Sequence, residues 1–182
     1  MIFFMFYDMV QKHKVFVSYY HKDDQAKRNK FERLFKNIFI SKSVNDGDIK
    51  SDLSSQYIKK LIASGYISDA SVLVVLIGKN TWKRKHVDWE ISAALNKKSG
   101  GYSGVVGILL PRKNYLKNKI EYPTKIPPRL EANRKTGYAK VYRWNENESI
   151  VKKMITEAFN TKDKLSHKIV NSSIPQFKIN RK

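Results

Sequence analysis

One uninterrupted apolar run constrains the fold more than any other part of this sequence: residues 71–78, Ser-Val-Leu-Val-Val-Leu-Ile-Gly. A strand with one face in water alternates apolar and polar residues, whereas a parallel strand covered by helices on both faces is apolar throughout. The run therefore predicts a central strand of a parallel sheet. Residues 104–110 have the same character and stop at Pro111, which predicts a second buried strand.

Extended and helical patterns alternate along the rest of the chain. Further strands are predicted at residues 14–20, 38–44 and 139–144. Helices are predicted from Asp23 or Asp24 to about Asn37, from Ser51 or Ser54 to Gly65, from Thr81 to about Lys98, and from about Glu148 to Asn160 after a cap at Asn145 or Asn147. This alternation predicts an α/β, flavodoxin-like fold of three layers, with a five-stranded parallel sheet in the order 2-1-3-4-5 and helices on both faces.

A chain of 182 residues is long enough for one domain with a sizeable core. We place that domain at residues 12–160. Residues 1–11 form an N-terminal extension, in which Met1 and Met9 are both candidate starts. Residues 161–182 are polar and basic, and they predict a flexible tail.

Two segments inside the domain are predicted to be loops. Residues 45–48, Asn-Asp-Gly-Asp, are typical of a turn. The proline-containing segment 112–136 predicts an irregular surface excursion.

Composition excludes several classes of site. There are no cysteines, which excludes a disulfide framework, a thiol nucleophile and a zinc site of the cysteine type. The four histidines share no metal-ligand spacing. The apolar residues 1–7 are too few to span a membrane and lack the flanks of a signal peptide, so a cytoplasmic protein without a membrane partner is expected.

The net charge of +20, from 36 basic and 16 acidic residues, would ordinarily suggest nucleic acid. The charge is spread along the chain without an arginine-rich block, and lysine dominates. The electrostatic field of such a surface is better suited to attracting an anionic small molecule, so nucleic acid is not an expected partner.

Glu90 is the candidate catalytic residue. Its helix carries a core-facing stripe formed by Val87, Ile91, Ala94 and Leu95. Glu90 lies at the edge of this stripe, and its carboxylate would hang over the carboxyl end of a central strand, where open α/β sheets bind ligands. On the pattern alone, a solvated surface glutamate is the favoured interpretation.

Common phosphate-binding motifs are absent. No glycine follows the first strand, where residues 18–21 are Ser-Tyr-Tyr-His, so a dinucleotide fingerprint and a P-loop are excluded. Residues 78–80, Gly-Lys-Asn, stand where a response regulator would carry its phosphoacceptor aspartate.

Four motifs now stand in order: residues 15–23, Val-Phe-Val-Ser-Tyr-Tyr-His-Lys-Asp; the strand 71–78; Thr81-Trp82; and residues 87–91, Val-Asp-Trp-Glu-Ile. Together they resemble the TIR (Toll/interleukin-1 receptor) superfamily, and most of all the TIR-like proteins of bacteria, including the TIR-like subunit of Thoeris anti-phage defence systems. The resemblance covers roughly residues 12–110.

The resemblance implies that Glu90 matches the catalytic glutamate that cleaves the nicotinamide–ribose bond of NAD. It implies that Ser18, Tyr19 and Tyr20 line the mouth of the pocket. His21, the next residue in the chain, is a candidate for substrate binding by its position alone. It also implies that the loop 45–50, which contains Asp48, is the mobile loop after the second strand.

One departure from the family pattern concerns the wall of the pocket. Related bacterial sequences often show Trp-Val-x-x-Glu, whereas this chain has His86 at the tryptophan position. Trp82, one turn earlier, could restore the aromatic wall, and His86 lies within reach of Glu90 at i−4.

The chemistry requires few groups. Nicotinamide leaves without a strong acid, and one carboxylate stabilises the developing oxocarbenium ion. Tyr19, Tyr20 and Trp82 could stack on the rings of NAD, and Lys79, Lys83 or Arg84 could meet the pyrophosphate. Each of these residues also has an explanation without a ligand. The aromatic residues can pack at a strand end or on a helix face, and the basic residues can lie on a solvated surface.

The resemblance therefore implies an enzyme that consumes NAD as substrate, with no separate cofactor. Its products would be nicotinamide and an ADP-ribose-derived signal, cyclic or linear, in anti-phage defence. Self-association through TIR surfaces and a separate effector that senses the product are the implied partners. The alternative is a non-catalytic TIR-type interaction module, and a third interpretation, nucleic-acid binding, rests on charge alone.

Overall fold

The computed structural model describes residues 12–42 and 54–182. Its strands are β1 (His13–Ser18), β2 (Phe39–Ser41), β3 (Val72–Ile77), β4 (Gly104–Leu109), β5 (Arg112–Asn114), β6 (Lys119–Glu121) and β7 (Lys140–Arg143). Five of them form one parallel sheet in the order β2-β1-β3-β4-β7, and β5 pairs with β6 in an antiparallel hairpin. The predicted α/β fold and strand order are confirmed, with β7 as the predicted fifth strand.

β3 is the middle strand of this sheet, and all six of its residues are buried. Alternate side chains enter two separate cores. Leu73, Val75 and Ile77 belong to one apolar cluster. Val72, Val74 and Leu76 belong to the other. The continuous apolar run is therefore explained by burial on both faces, as predicted.

The helices are α1 (His21–Phe35), α2 (Ser55–Leu61), α3 (Lys85–Ala94), α4 (Pro128–Lys135) and α5 (Glu148–Thr161). Two predicted caps are present: the Ser54 side chain accepts a hydrogen bond from the Tyr57 backbone N–H, and Asn147 accepts one from Ile150. α1 begins earlier than predicted, with Tyr20 at its N-cap and Asp23 and Asp24 inside its first turn. Carboxylates in a first turn stabilise a helix through its dipole, so the same residues favour this start as well.

The helices cover the sheet as two layers. α2, α3 and α4 contribute Ile58, Trp89 and Leu130 to the first apolar cluster. α1 and α5 contribute Phe31 and Ile155 to the second. None of the helices in the described ranges is long and apolar enough to cross a membrane.

The segment 112–136 differs from the predicted irregular excursion. It contains the β5–β6 hairpin and then α4, which begins at Pro128. Proline suits the first turn of a helix because the N–H it lacks would have no intrahelical partner there. Leu130 of α4 is fully buried, so this segment is part of the core.

The segment 161–182 also differs from the predicted flexible tail. Residues 166–181, here called the strap, lie along α3 and hydrogen-bond to it from Asn171 to Asn180, and the Arg181 N–H donates to the Lys83 carbonyl just before α3. Phe177 of the strap is buried, although residues around it are polar. The composition suggested a frayed end, but the polar side chains of the strap have partners on α3 and α4.

The close approach of α5 to the sheet at Gly104 can be tested by substitution. A Cβ atom at this position would lie 2.2 Å from the backbone oxygen of Ala158. We expect Gly104→Ala to lower the free energy of unfolding by about 1–3 kcal/mol, because backbone cannot yield as a side chain can. Chemical denaturation gives the value. Gly100→Ala is the control, since its Cβ would meet nothing within 4 Å, and equal stability of the two variants would contradict this packing.

Candidate functional site

The candidate site lies at the carboxyl end of β1, beside α3. Ser18 is the last residue of β1, and Glu90 lies in the second turn of α3. The Ser18 hydroxyl donates a hydrogen bond to Glu90 Oε2 over 2.5 Å. Both residues are buried, with 1% and 8% of their surface exposed. The structure thus brings together two of the predicted site residues that are 72 positions apart in the chain.

Glu90 is more enclosed than an edge position on a helix stripe suggests. All residues from Val87 to Ala94 are buried, because α3 is covered by the sheet on one side and by α4 and the strap on others. The solvated interpretation of Glu90 is therefore wrong. Burial raises the pKa of Glu90 to about 8, while the hydrogen bond from Ser18 acts in the opposite direction. Without a ligand, the carboxyl group is mainly protonated at neutral pH.

Two buried polar atoms at the start of α3 have no hydrogen-bond partner within residues 12–42 and 54–182. One is Nε2 of His86, one turn before Glu90 in α3. The other is Nε of Arg84, at the N-cap of the same helix. Buried polar groups are almost always paired, so unpaired atoms of this kind mark a place where a further group can bind.

Tyr20 and His86 form the aromatic part of the site. The Arg84 guanidinium lies 3.7 Å from the centroid of the Tyr20 ring. The His86 ring lies 5.2 Å from that of Trp89. Burial, and then the charges of Lys85 and His21, lower the pKa of His86, so its imidazole is neutral at pH 7.

Tyr19 does not face Glu90. Successive side chains of a strand point to opposite faces of the sheet, so Tyr19 faces away from Ser18. Tyr19 packs in the apolar cluster that α1 and α5 cover. Its hydroxyl donates to Gln25, and its ring lies 4.2 Å from that of His21. The prediction that Tyr19 lines the pocket is wrong, and Tyr19 is instead a packing residue of the apolar core. His21 is exposed at the start of α1, close enough to His86 to affect its pKa.

Trp82 is also separate from Glu90. It lines a cleft of about 670 Å³ together with Gly78, Lys79 and residues 110–112 and 121–125. Glu90 is not among the residues of this cleft. The structure therefore places Trp82, at the short turn Thr81–Lys83, in a cleft that Glu90 does not line. Asp48 and the loop 45–50 lie outside the described residues.

The sequence analysis missed a buried ion pair that fixes α3. Arg129 of α4 donates from Nε to Asp88 Oδ1 over 2.9 Å, and both side chains are at most 3% exposed. The other guanidinium nitrogens donate to Asn171 and to the Ile174 carbonyl in the strap. No spacing rule relates residues 88 and 129, so the only available signal was an aspartate inside an apolar helix.

The strap adds hydrogen bonds along the whole length of α3. The Phe177 backbone N–H donates to Asp88, and the Phe177 carbonyl accepts from the indole of Trp89. At the helix start, Asn180 accepts a hydrogen bond from the Lys85 backbone N–H, and so acts as a cap supplied from elsewhere in the chain. Together with the ion pair, these bonds hold the helix that carries Glu90 and His86.

Within the described ranges, no group of three or more His, Asp or Glu residues could hold a metal ion. Glu90 supplies a carboxyl group and Ser18 a hydroxyl, and the start of α3 adds the imidazole of His86 and the guanidinium of Arg84, which lies over the ring of Tyr20. This set can bind a polar aromatic ligand and can stabilise positive charge once Glu90 ionises.

Comparison with known proteins identifies a family. The model of the family described as Thoeris protein ThsB, TIR-like domain, matches residues 16–115, more than half of the 182-residue chain. No curated protein matches the chain.

Among solved structures, the chain matches the TIR domains of the activated Roq1 resistosome directly recognizing the pathogen effector XopQ, at 21% identity and a TM-score of 0.33. This match covers 53% of the present chain and 58% of the other. The chain therefore spans little more than half of that structure, and a likeness of this degree carries no argument about function.

Arg129→Met tests the ion pair. This change removes one partner and leaves the Asp88 carboxylate buried, so we expect the free energy of unfolding to fall by about 3–5 kcal/mol. Arg134→Met is the matched control on the same helix, since Arg134 pairs with Glu131 at 45% exposure and should contribute less than about 1 kcal/mol. Urea denaturation at pH 7 measures both, and similar losses in the two variants would contradict the special role of Arg129.

Glu90→Gln tests the burial of Glu90 through the pH dependence of stability. An unfolded glutamate has its ordinary pKa of 4.5, whereas the folded one has a pKa of about 8. Between these values the unfolded chain releases the proton and the folded protein keeps it, so wild type loses stability as pH rises. We therefore expect the stability of Glu90→Gln relative to wild type to increase from pH 4.5 to about pH 8 and then to level off.

Urea denaturation of both proteins across this pH range measures the difference. Because the other titrating groups are common to both, their contributions cancel. A difference that does not change with pH would show that Glu90 titrates alike in the folded and unfolded states.

Proposed function

The chain belongs to the family of the Thoeris protein ThsB, TIR-like domain, and from that premise we propose that it cleaves the nicotinamide–ribose bond of NAD at Glu90. The proposal is carried by one observation: the Glu90 carboxyl is buried at the carboxyl end of β1, bonded to Ser18, with a pKa of about 8. Strongly shifted carboxyl groups at such places are candidates for catalysis. The fold alone would not support an activity, since one fold hosts many functions.

The reaction needs a single anionic group near the ribose. The bond between the ribose C1′ and the nicotinamide nitrogen breaks, and its electron pair leaves with the ring, which becomes neutral. Ionised Glu90 then stabilises the oxocarbenium ion on the ribose. Water attacks this carbon to give ADP-ribose, or a nucleophilic atom of the same molecule attacks it to give a cyclic product.

Burial has a specific consequence for this reaction. The nicotinamide ring of NAD carries a positive charge, and a positive charge next to Glu90 lowers its pKa. Binding of substrate would therefore ionise the carboxyl group that is needed. For the free protein, kcat/KM should rise with pH up to about 8, since this parameter reports the ionisation of the free enzyme.

The neighbouring residues have suitable chemistry for the rest of the substrate. Ser18 holds the carboxyl group in place, and Tyr20 offers an aromatic face. Arg84 and His86 each have an unpaired buried nitrogen within the described part of the chain. In the proposal, Arg84 binds a phosphate oxygen, and neutral His86 lies beside the reacting ribose.

The alternative function is a module that assembles with other TIR-type surfaces. One observation favours it: the turn of the β5–β6 hairpin exposes Tyr115 and Leu116, at 81% and 99%, and Ile120 of β6 is 55% exposed. Self-association and NAD cleavage are compatible, and an effector that senses the product remains a further part of the proposal. A scaffold alone, however, has no need for a buried carboxyl group at the end of β1.

Glu90→Gln is the test of catalysis. Glutamine keeps the volume of the side chain but removes the negative charge that faces the oxocarbenium ion, so we expect turnover of NAD to fall by roughly 10²–10³-fold. His86→Ala should act more weakly, by about tenfold in rate, because His86 acts beside the carboxyl group. Products are identified by mass spectrometry after incubation of purified protein with NAD.

The variants are compared with wild type at equal distance below their thermal midpoints, so that stability does not enter the result. Infected-cell extract or a crowding agent provides activation if the purified protein is silent. Equal turnover of wild type and Glu90→Gln would remove Glu90 from the mechanism. Absence of turnover under all of these conditions would favour the interaction module.

A further inference from the structure

A concave site that Glu90 does not line lies at the carboxyl ends of β3 and β4. It is the cleft of about 670 Å³ that contains Trp82. One wall comes from the first turns of α1, the floor comes from the loop after β3, and the far wall comes from residues 121–125 after the β5–β6 hairpin. The volume is in the range of pockets that bind small molecules.

The rim of this cleft is basic. Its cationic side chains are Lys27, Lys79, Lys83, Arg112 and Lys125. Arg112 lies 3.8 Å from Glu121, which partly compensates it. Lys79 and Lys125 are exposed, and neither forms an ion pair with any residue in the described ranges 12–42 and 54–182. Unpaired cations around a concavity attract anions.

Aromatic rings stand close to these cations. The ammonium groups of Lys125 and Lys83 lie 4.3 Å and 5.5 Å from the centroid of Trp82. Tyr122 lines the same cleft. A ligand that uses both features has a flat ring and a negative group separated by only a few ångströms.

The α1 wall of the cleft carries a buried carboxyl group. Asp24 is 8% exposed and accepts a hydrogen bond from Thr81 Oγ1, which itself accepts one from the Gly78 N–H. A Cβ atom on Gly78 would lie 2.2 Å from both Asp24 oxygens, so glycine is required for the carboxyl group to reach this position. A carboxylate beneath a basic rim suits a ligand that also presents hydroxyl donors, as a ribose does.

We propose that this cleft is a nucleotide-binding site separate from Glu90, in which the lysines bind phosphate, Trp82 stacks on the base and Asp24 accepts a hydrogen bond from a ribose hydroxyl. The site takes a nucleoside phosphate. Its existence does not depend on NAD cleavage at Glu90. Nucleic acid fits less well, since an extended polyanion would meet the acidic groups Asp23, Asp24 and Glu121 inside the cleft.

The experiment measures binding of AMP by calorimetry, with inorganic phosphate, adenosine and a short single-stranded DNA as further probes. The main variant is the double change Lys79→Glu and Lys125→Glu, which should fold because both lysines are exposed. Lys153→Glu is the control, since Lys153 is an exposed lysine on α5, outside the cleft. Trp82→Ala and Trp82→Phe test the stacking, because phenylalanine keeps a ring.

We expect the double variant to bind AMP at least tenfold more weakly, and Trp82→Ala to weaken binding while Trp82→Phe largely retains it. Lys153→Glu, Glu90→Gln and His86→Ala should bind AMP like wild type. Phosphate or adenosine alone should bind more weakly than AMP.

Four results would overturn the proposal. They are no binding of AMP to wild type, equal binding by the double variant, loss of binding in Glu90→Gln or His86→Ala instead, and DNA binding that exceeds AMP binding and depends on the same lysines. Circular dichroism and thermal midpoints establish that each variant is folded. If Trp82→Ala is unfolded, the double variant, which leaves the aromatic wall intact, decides the outcome.

Discussion

The buried ion pair between Asp88 and Arg129 is the interaction on which the arrangement of the site depends. Two charges out of water are destabilising unless every remaining donor and acceptor is paired. Here Arg129 is satisfied by the strap as well as by Asp88, and Asp88 also accepts a hydrogen bond from Phe177. One electrostatic requirement therefore fixes α3, α4 and the strap relative to one another. Glu90 follows Asp88 by two residues, so its position over β1 is set by the same contacts.

The carboxyl groups of Glu90 and Asp24 lie in different surroundings. Glu90 is enclosed by apolar helix packing and bonded to one hydroxyl, which leaves it protonated at neutral pH. Asp24 lies under a basic rim, where burial raises its pKa to about 6. At pH 7 the first is mainly neutral and the second mainly ionised. The carboxyl group of Glu90 can therefore ionise when a positively charged ligand binds, whereas that of Asp24 is already a hydrogen-bond acceptor.

Local pattern was sufficient to predict elements whose causes are local. The burial of β3 and the caps at Ser54 and Asn147 follow from periodicity and short-range chemistry, and the strand order follows from the connection rules for alternating strands and helices. The meeting of Ser18 and Glu90 could be anticipated as well, because the ends of neighbouring parallel strands converge. The docking of the strap could not be anticipated, because it depends on partners distant in sequence, as Asp88 and Arg129 are, at a separation of 41 residues. The face taken by Tyr19 follows from the alternation of side chains along a strand.

The contacts of the strap determine the order in which parts of the fold can form during synthesis. α3 leaves the ribosome 41 residues before Arg129 and 89 residues before Phe177. β1, β3 and β4 can pair during that interval, but the Asp88 carboxylate and the Trp89 indole still lack their partners. The nascent chain therefore holds a nearly finished sheet beside a helix that is not yet anchored. The helix that carries Glu90 becomes fixed only when the strap arrives, so the Glu90 site matures after the sheet that it adjoins.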